Sequence, residues 1–185
     1  EVSNDISNWE NITALNSNSI QLRNSNTDWS IGAFIVNSED GLNYGWGDYN
    51  NETNIIEGSR IYVVTYGNRT KKIIINSLDA GVYNFTVANL DGTSEENISV
   101  DTNPYFNKRF IYYSLESNEI IDREPDSDSW DLLFTKYEED LNNDVANPLN
   151  YNQPYYVAGV LTNGNIIAQY EGSTEDIISF SILDT

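Results

Sequence analysis

Short β-branched or aromatic runs that alternate with turn residues constrain the fold of this chain more than any other feature. Between residues 60 and 100 the runs are 60–66, 71–75, 82–87 and 97–100, and Gly, Asn or Asp residues separate them. Strands repeated every 8–12 residues or so with such turns are typical of an antiparallel sheet, sandwich or barrel. The sequence therefore predicts an all-β fold in a meander, with at most one or two short helices.

Alternation within two of the runs predicts which side chains share a face. Successive side chains of a strand point to opposite sides of the sheet. The apolar faces expected from this rule are Tyr83, Phe85 and Val87 in the run 82–87, and Trp130, Leu132 and Phe134 in the run 130–137. The face formed by Trp130, Leu132 and Phe134 is predicted to lie in the core.

The remaining runs complete a single-domain organisation. Residues 1–28 are rich in Asn and Ser and are predicted to be an N-terminal extension or edge segment, whereas 29–185 are predicted to form one β domain. Further strands are expected at 29–36, 110–115, 155–161, 166–170 and 177–182, with a long irregular stretch at 138–154 and a hairpin turn at Asn163-Gly164.

The second half of the chain contains an ordered series of aromatic and acidic runs. An aromatic run at 112–115 precedes an acidic turn with proline at 122–125, a Trp-Asp-hydrophobic run at 130–137 and a run at 157–164 that ends in a turn. Over residues 105–170 this series resembles the HmuY-like family. The resemblance implies a secreted or outer-surface all-β protein of Bacteroidota, with founding members that bind haem. It also implies a pocket near Tyr112, Tyr113, Thr135 and Tyr137.

Charge and composition restrict the partners and the location. Nine basic and twenty-nine acidic residues give a formal net charge of −20. Such a surface repels phosphate groups, so neither nucleic acid nor an anionic membrane is expected as a partner. No run approaches the roughly 18 apolar residues that a membrane span needs. The absence of Met, including at position 1, favours a processed protein that is secreted or held at the outer cell surface.

The missing residue types also argue against catalysis. The chain contains no Cys and no His, which excludes disulfides, thiolate metal sites and the usual general base. Paired carboxylates such as Asp128 and Asp131 are explained more simply by turn capping, so no enzyme activity is expected. Asp126 and Asp128 are weak calcium candidates, because Ca²⁺ prefers carboxylate and carbonyl oxygens. The sequons at Asn11, Asn51, Asn68, Asn84 and Asn97 are attributed to the abundance of Asn near Ser and Thr.

Three aromatic residues between glycines and amides offer a second candidate site. Tyr44, Trp46 and Tyr49 lie within the run 41–51. Aromatic ring faces stack on sugar rings, so the run is a candidate glycan-binding platform. The same composition also describes an irregular strand or bulged loop in which Trp46 fills a gap in the core, and this structural interpretation is preferred.

Haem ligation of the usual kind is not expected. Haem iron is held by His, Met, Cys or Tyr, and only Tyr occurs in this chain. Tyr112, Tyr113 and Tyr137 have no cation placed to lower their pKa, since Lys136 points away from Tyr137 and Arg123 lies in a turn. At most, weak association of haem with an apolar surface is predicted, without a defined axial ligand.

The first functional hypothesis is therefore a non-catalytic protein that binds a small molecule or a glycan. A haemophore-like protein with Tyr or no axial ligation is the second hypothesis. A self-assembling or adhesive surface protein is the third.

Overall fold

A computed structural model describes residues 3–15, 19, 22–24, 32–35, 38, 41–140 and 154–164. Its described part is mainly antiparallel β-structure with two short 3₁₀-helices, Ile6–Asn11 and Asn103–Tyr105, which confirms the all-β prediction. The strands are β1 (Gly47–Asn50), β2 (Ile55–Gly58), β3 (Tyr62–Tyr66), β4 (Arg69–Asp79), β5 (Val82–Asn89), β6 (Glu96–Asp101), β7 (Tyr112–Ser114), β8 (Glu119–Ile121), β9 (Leu132–Asp140) and β10 (Pro154–Thr162).

The first six strands form one sheet that is organised around β4. Its order is β1-β2-β4-β5-β6, and β3 also pairs with β4. The eleven residues of β4 are long enough for two neighbours on one side. Tyr62 of β3 pairs with Ile73, and Ile56 of β2 pairs with Leu78 beyond an irregularity at Ile75. The strands β7–β8 and β9–β10 form two separate two-stranded sheets.

One face of the six-stranded sheet builds the core. Phe85 and Val87 of β5 are 8% and 3% exposed, and Tyr83 packs against the same cluster. The alternation predicted for this strand is therefore confirmed. The other buried members of the cluster are Trp46, Ile56, Tyr62, Ile73, Ile98 and Val100. The β7–β8 hairpin packs on this face, where the Tyr113 ring stands edge-on to Phe85 with centroids 5.4 Å apart.

The N-terminal segment covers part of the opposite face of the sheet. Lys72 of β4 is 1% exposed, and its ammonium donates a hydrogen bond of 2.8 Å to the Trp9 carbonyl and lies 4.7 Å from the Trp9 ring centroid. The Trp9 indole N–H donates to Glu95 at 2.8 Å. A β-bridge between Ser3 and Ile61 fixes the chain just before the 3₁₀-helix Ile6–Asn11, which contains Trp9. Burial of the Lys72 charge is compensated by the carbonyl and the ring.

Polar side chains form cross-strand rows elsewhere on that opposite face. The Asn76 side-chain amide donates to the Thr86 hydroxyl at 2.8 Å, and the Thr86 hydroxyl donates to the side-chain amide oxygen of Asn97 at the same distance. The Ser99 hydroxyl donates to Asn84 at 2.6 Å. Residues two apart in a strand share a face, so an Asn and the hydroxyl two residues later lie side by side. The sequons that begin at Asn84 and Asn97 thus supply side chains for rows of hydrogen bonds across β5 and β6.

Three expectations from the sequence need correction or lie outside the described residues. The run 29–36 was predicted to be a strand, but residues 32–35 form a turn closed by a 3.0 Å hydrogen bond from the Ile35 N–H to the Gly32 carbonyl. Phe34 still enters the core, with its ring edge-on to Tyr62. The short strands β2 and β8 were not anticipated. The strands expected at 166–170 and 177–182 lie outside the described residues.

Candidate functional site

Strands β9 and β10 form a long two-stranded ribbon. They pair over nine positions, from Leu132 opposite Thr162 to Asp140 opposite Pro154. Within the described part of the chain, neither strand pairs with a third one. A two-stranded hairpin alone is marginally stable in water, so the attachment of this ribbon to the rest of the molecule is important.

Asn163 fixes the base of the ribbon through its backbone and its side chain. Its N–H donates to the Asp131 carbonyl at 3.0 Å, and its amide nitrogen donates to the Trp130 carbonyl at 3.0 Å and to the Ser127 carbonyl. Its amide oxygen accepts a 2.9 Å hydrogen bond from the Arg109 guanidinium. The Asn163 side chain and backbone therefore hold the start of β9, the end of β10 and the loop after β6 together at the base of the ribbon.

One face of the ribbon is apolar and exposed. Phe134 is 75% exposed, Val160 opposite it is 57% exposed, and Leu132 is 49% exposed. Trp130, which was predicted to share a face with Leu132 and Phe134, is half-buried. The prediction that Leu132 and Phe134 are core residues is therefore wrong in the described structure, because no described element packs on this side of the ribbon.

A groove of about 370 Å³ lies on the ribbon. Its lining residues are Phe134, Thr135, Lys136, Ala158, Gly159 and Val160. The volume falls in the range of about 300–1,000 Å³ that small-molecule sites occupy, and the lining is mainly apolar with one hydroxyl and one ammonium. This composition suits a ligand with an apolar body.

Thr135 was among the residues predicted for a ligand site, and it does line the groove. The residues that line it from β10 were not anticipated. The runs 130–137 and 155–161 were both expected to be strands, yet nothing local in either run indicates their pairing register. The side chain of Tyr137 lies outside the described residues.

The two tyrosines of β7 lie apart from the groove lining. Within the described residues β7 pairs only with β8. The Tyr112 hydroxyl donates to Glu124 at 3.0 Å, and the Tyr113 hydroxyl donates to Asn118. Burial raises the pKa of both phenols, and the nearby carboxylates Glu124 and Glu96 raise the pKa of Tyr112 and Tyr113 further. Neither environment favours a phenolate ligand.

The aromatic run of the predicted glycan platform is divided between core and surface. Trp46 is 5% exposed, belongs to the core cluster and lies 6.3 Å from the Tyr83 ring. Tyr44 is 41% exposed, and the Tyr49 hydroxyl donates to Asn54 at 2.8 Å. A buried indole cannot stack on a sugar, so the burial of Trp46 favours the structural alternative.

The acidic residues form no compact metal site in the described ranges. There, no group of three or more His, Cys, Asp or Glu side chains could surround a cation. The carbonyl of Asp126 accepts hydrogen bonds from the Ser129 N–H at 2.9 Å and from its hydroxyl at 2.6 Å, while the Asp128 and Asp131 side chains are exposed. Asp126 therefore belongs to a turn. No helix among the described residues is both long and apolar enough to cross a membrane.

Comparison with protein-family models, with curated proteins and with solved structures returned no match to this chain. The resemblance to the HmuY-like family therefore stays a prediction. Phe134, which is 75% exposed, lines the ribbon groove.

Proposed function

We propose that this chain is a non-catalytic binding protein that takes an apolar small molecule in the groove of the β9–β10 ribbon. The observation that supports the proposal is the exposure of Phe134, whose ring is 75% accessible beside that groove. Water contact with such a ring is unfavourable, and a ligand that covers it removes that cost. Secretion or display at the outer cell surface belongs to the same proposal.

The expected affinity is modest. Fully burying a side chain such as Phe134 or Val160 contributes about 1.5–3 kcal/mol. Part of that gain is lost to the freedom that the ligand gives up on binding. The Asn163 hydrogen bonds at the base limit the further cost of ordering the ribbon. We therefore expect dissociation constants in the micromolar to millimolar range.

The other functional hypotheses have less support. Glycan binding at the 41–51 run loses its central ring because Trp46 is buried. Haem ligation would need a phenolate, and the pKa values of Tyr112 and Tyr113 are raised. Self-association through the ribbon would bring together two chains that each carry a net charge of −20.

A titration with an uncharged aromatic probe, phenylbutanol, tests the proposal. Amide resonances of 134–136 and 158–160 should shift in a saturable manner, and Phe134→Ala should weaken binding about tenfold, which corresponds to about 1.4 kcal/mol. Phe106→Ala is the matched control, because Phe106 is 88% exposed but does not line the groove. Equal losses in the two variants, or shifts confined to other strands, would contradict the assignment of the groove.

A further inference from the structure

The groove contains one charged side chain among the described residues that line it. That residue is Lys136, which pairs with Ala158 across the ribbon and lies two positions from Phe134 on the same strand. Residues two apart in a strand share a face, so the ammonium and the exposed ring belong to the same side of the ribbon. The groove thus offers an apolar wall next to a cation.

Lys136 forms no ion pair with an acidic residue in the described part of the chain, although the sequence contains twenty-nine acids. Elsewhere in the described part, Arg69 pairs with Glu116, Lys108 pairs with Asp122, and Lys72 is buried against Trp9. An exposed ammonium beside apolar side chains retains its three hydrogen-bond donors for a ligand. A carboxylate is the simplest group that matches both its charge and its donors.

The overall charge limits how much negative charge a ligand can bring. The net charge of −20 repels anions at long range, and the repulsion grows with each charge that a ligand carries. A ligand with a single carboxylate can place that group on Lys136. A second negative charge on the ligand would find no further cation among the described residues that line the groove.

We propose that the groove selects an amphipathic monocarboxylate, whose apolar body covers Phe134 and Val160 while its carboxylate accepts hydrogen bonds from the Lys136 ammonium. This inference rests on the proposed function and specifies the chemical class of the ligand. The contact is solvent-exposed, so the selectivity should be small and sensitive to salt.

Paired titrations with phenylbutyrate and phenylbutanol test the selectivity. The two probes share a phenylpropyl group, which ends in a carboxylate in phenylbutyrate and in a hydroxymethyl group in phenylbutanol. At low ionic strength the wild-type protein should bind phenylbutyrate about two- to fivefold more tightly than phenylbutanol. Lys136→Gln should bring the ratio to one or below, whereas Lys136→Arg should preserve it. Arg123→Gln is the charge-matched control: it removes one exposed positive charge outside the groove and should leave the ratio unchanged.

The possible failures are distinguishable. Equal binding of the two probes, both weakened by Phe134→Ala and unaffected by Lys136→Gln, would overturn the carboxylate inference and leave the proposed function intact. A loss of selectivity in Arg123→Gln as large as in Lys136→Gln would indicate a general charge effect and also overturn it. If neither probe binds, or if light scattering and amide shifts show the groove occupied by a second copy or by another segment of the same chain, both proposals fail.

Discussion

The six-stranded sheet and the β9–β10 ribbon follow the same rule of alternation but differ in what covers them. Phe85 in the sheet is 8% exposed, whereas Phe134 in the ribbon is 75% exposed. Both residues lie on the apolar side of a strand whose polar and apolar side chains alternate. Alternation therefore assigns side chains to a common face, but it does not say whether another element packs against that face.

The covering elements of the sheet come from distant parts of the chain. The β7–β8 hairpin packs on the core face through Tyr113, and the N-terminal segment covers Lys72 on the other face through Trp9. In the described part of the chain, the ribbon is connected to the rest mainly at its base, through Asn163. The described elements thus cover parts of both faces of the sheet and leave one apolar face of the ribbon exposed.

Matched alanine substitutions should give the largest difference between the two regions. Phe85→Ala should lower the free energy of unfolding by about 3–5 kcal/mol, because it removes a buried ring from the core. Phe134→Ala should change it by no more than about 0.5 kcal/mol, as for an ordinary surface site. Urea unfolding followed by circular dichroism measures both. A loss of several kcal/mol in Phe134→Ala would show that its ring is covered and that the two regions are alike.

Removal of a buried lysine should give an intermediate effect. Lys72→Ala should cost about 1–3 kcal/mol, because the Trp9 carbonyl loses the hydrogen bond from a lysine that is only 1% exposed. Lys71→Ala is the neighbouring control: Lys71 is only half-buried, and its replacement should cost no more than about 0.5 kcal/mol. Thermal unfolding compares the two variants. Equal melting temperatures would mean that the N-terminal segment contributes nothing to the cover of the sheet.

Tyrosine ionisation should give the smallest effect. Burial raises the pKa of Tyr83 in the sheet, and also that of Tyr112 and Tyr113, above the ordinary value of 10.0. The folded state then favours the neutral phenols, so their contribution to stability is complete below pH 10.0 and is lost as the pH rises through the folded-state values. Near-ultraviolet phenolate absorbance of the native and urea-unfolded chains, followed as a function of pH, measures the rise in pKa. Superimposable titration curves for the two states would contradict the predicted rise.

Much of the sheet was predictable because local sequence patterns, namely alternation and turn residues, indicate its strands. The residues of β5 that share its apolar face followed from alternation, and Gly and Asn residues separate β3 from β4 as expected. Residues 32–35 form a turn rather than the predicted strand, since an apolar run also suits a turn whose side chains pack against the core. In that turn the Ala33 N–H is satisfied by the Asn24 side chain at 2.8 Å, a contact that no local pattern indicates.

The groove was predictable only in part. Thr135 was expected in a ligand site, and Phe134 was singled out for the opposite role, as a core residue. The approach of Val160 to Phe134 depends on pairing across more than twenty positions of the chain, and that register is a property of the assembled ribbon.

The sequence by itself determined the antiparallel β class, the composition that leaves no His or Cys for chemistry, and the sides of each strand on which apolar residues fall. These are consequences of local backbone geometry and of side-chain chemistry. Only the tertiary structure decided that Trp46 is buried, that Phe134 is exposed, and that Lys136 lies beside that ring without an ion pair to an acidic residue of the described part. Burial and pairing depend on which distant segments pack together, and long-range packing is not contained in the period of any single strand.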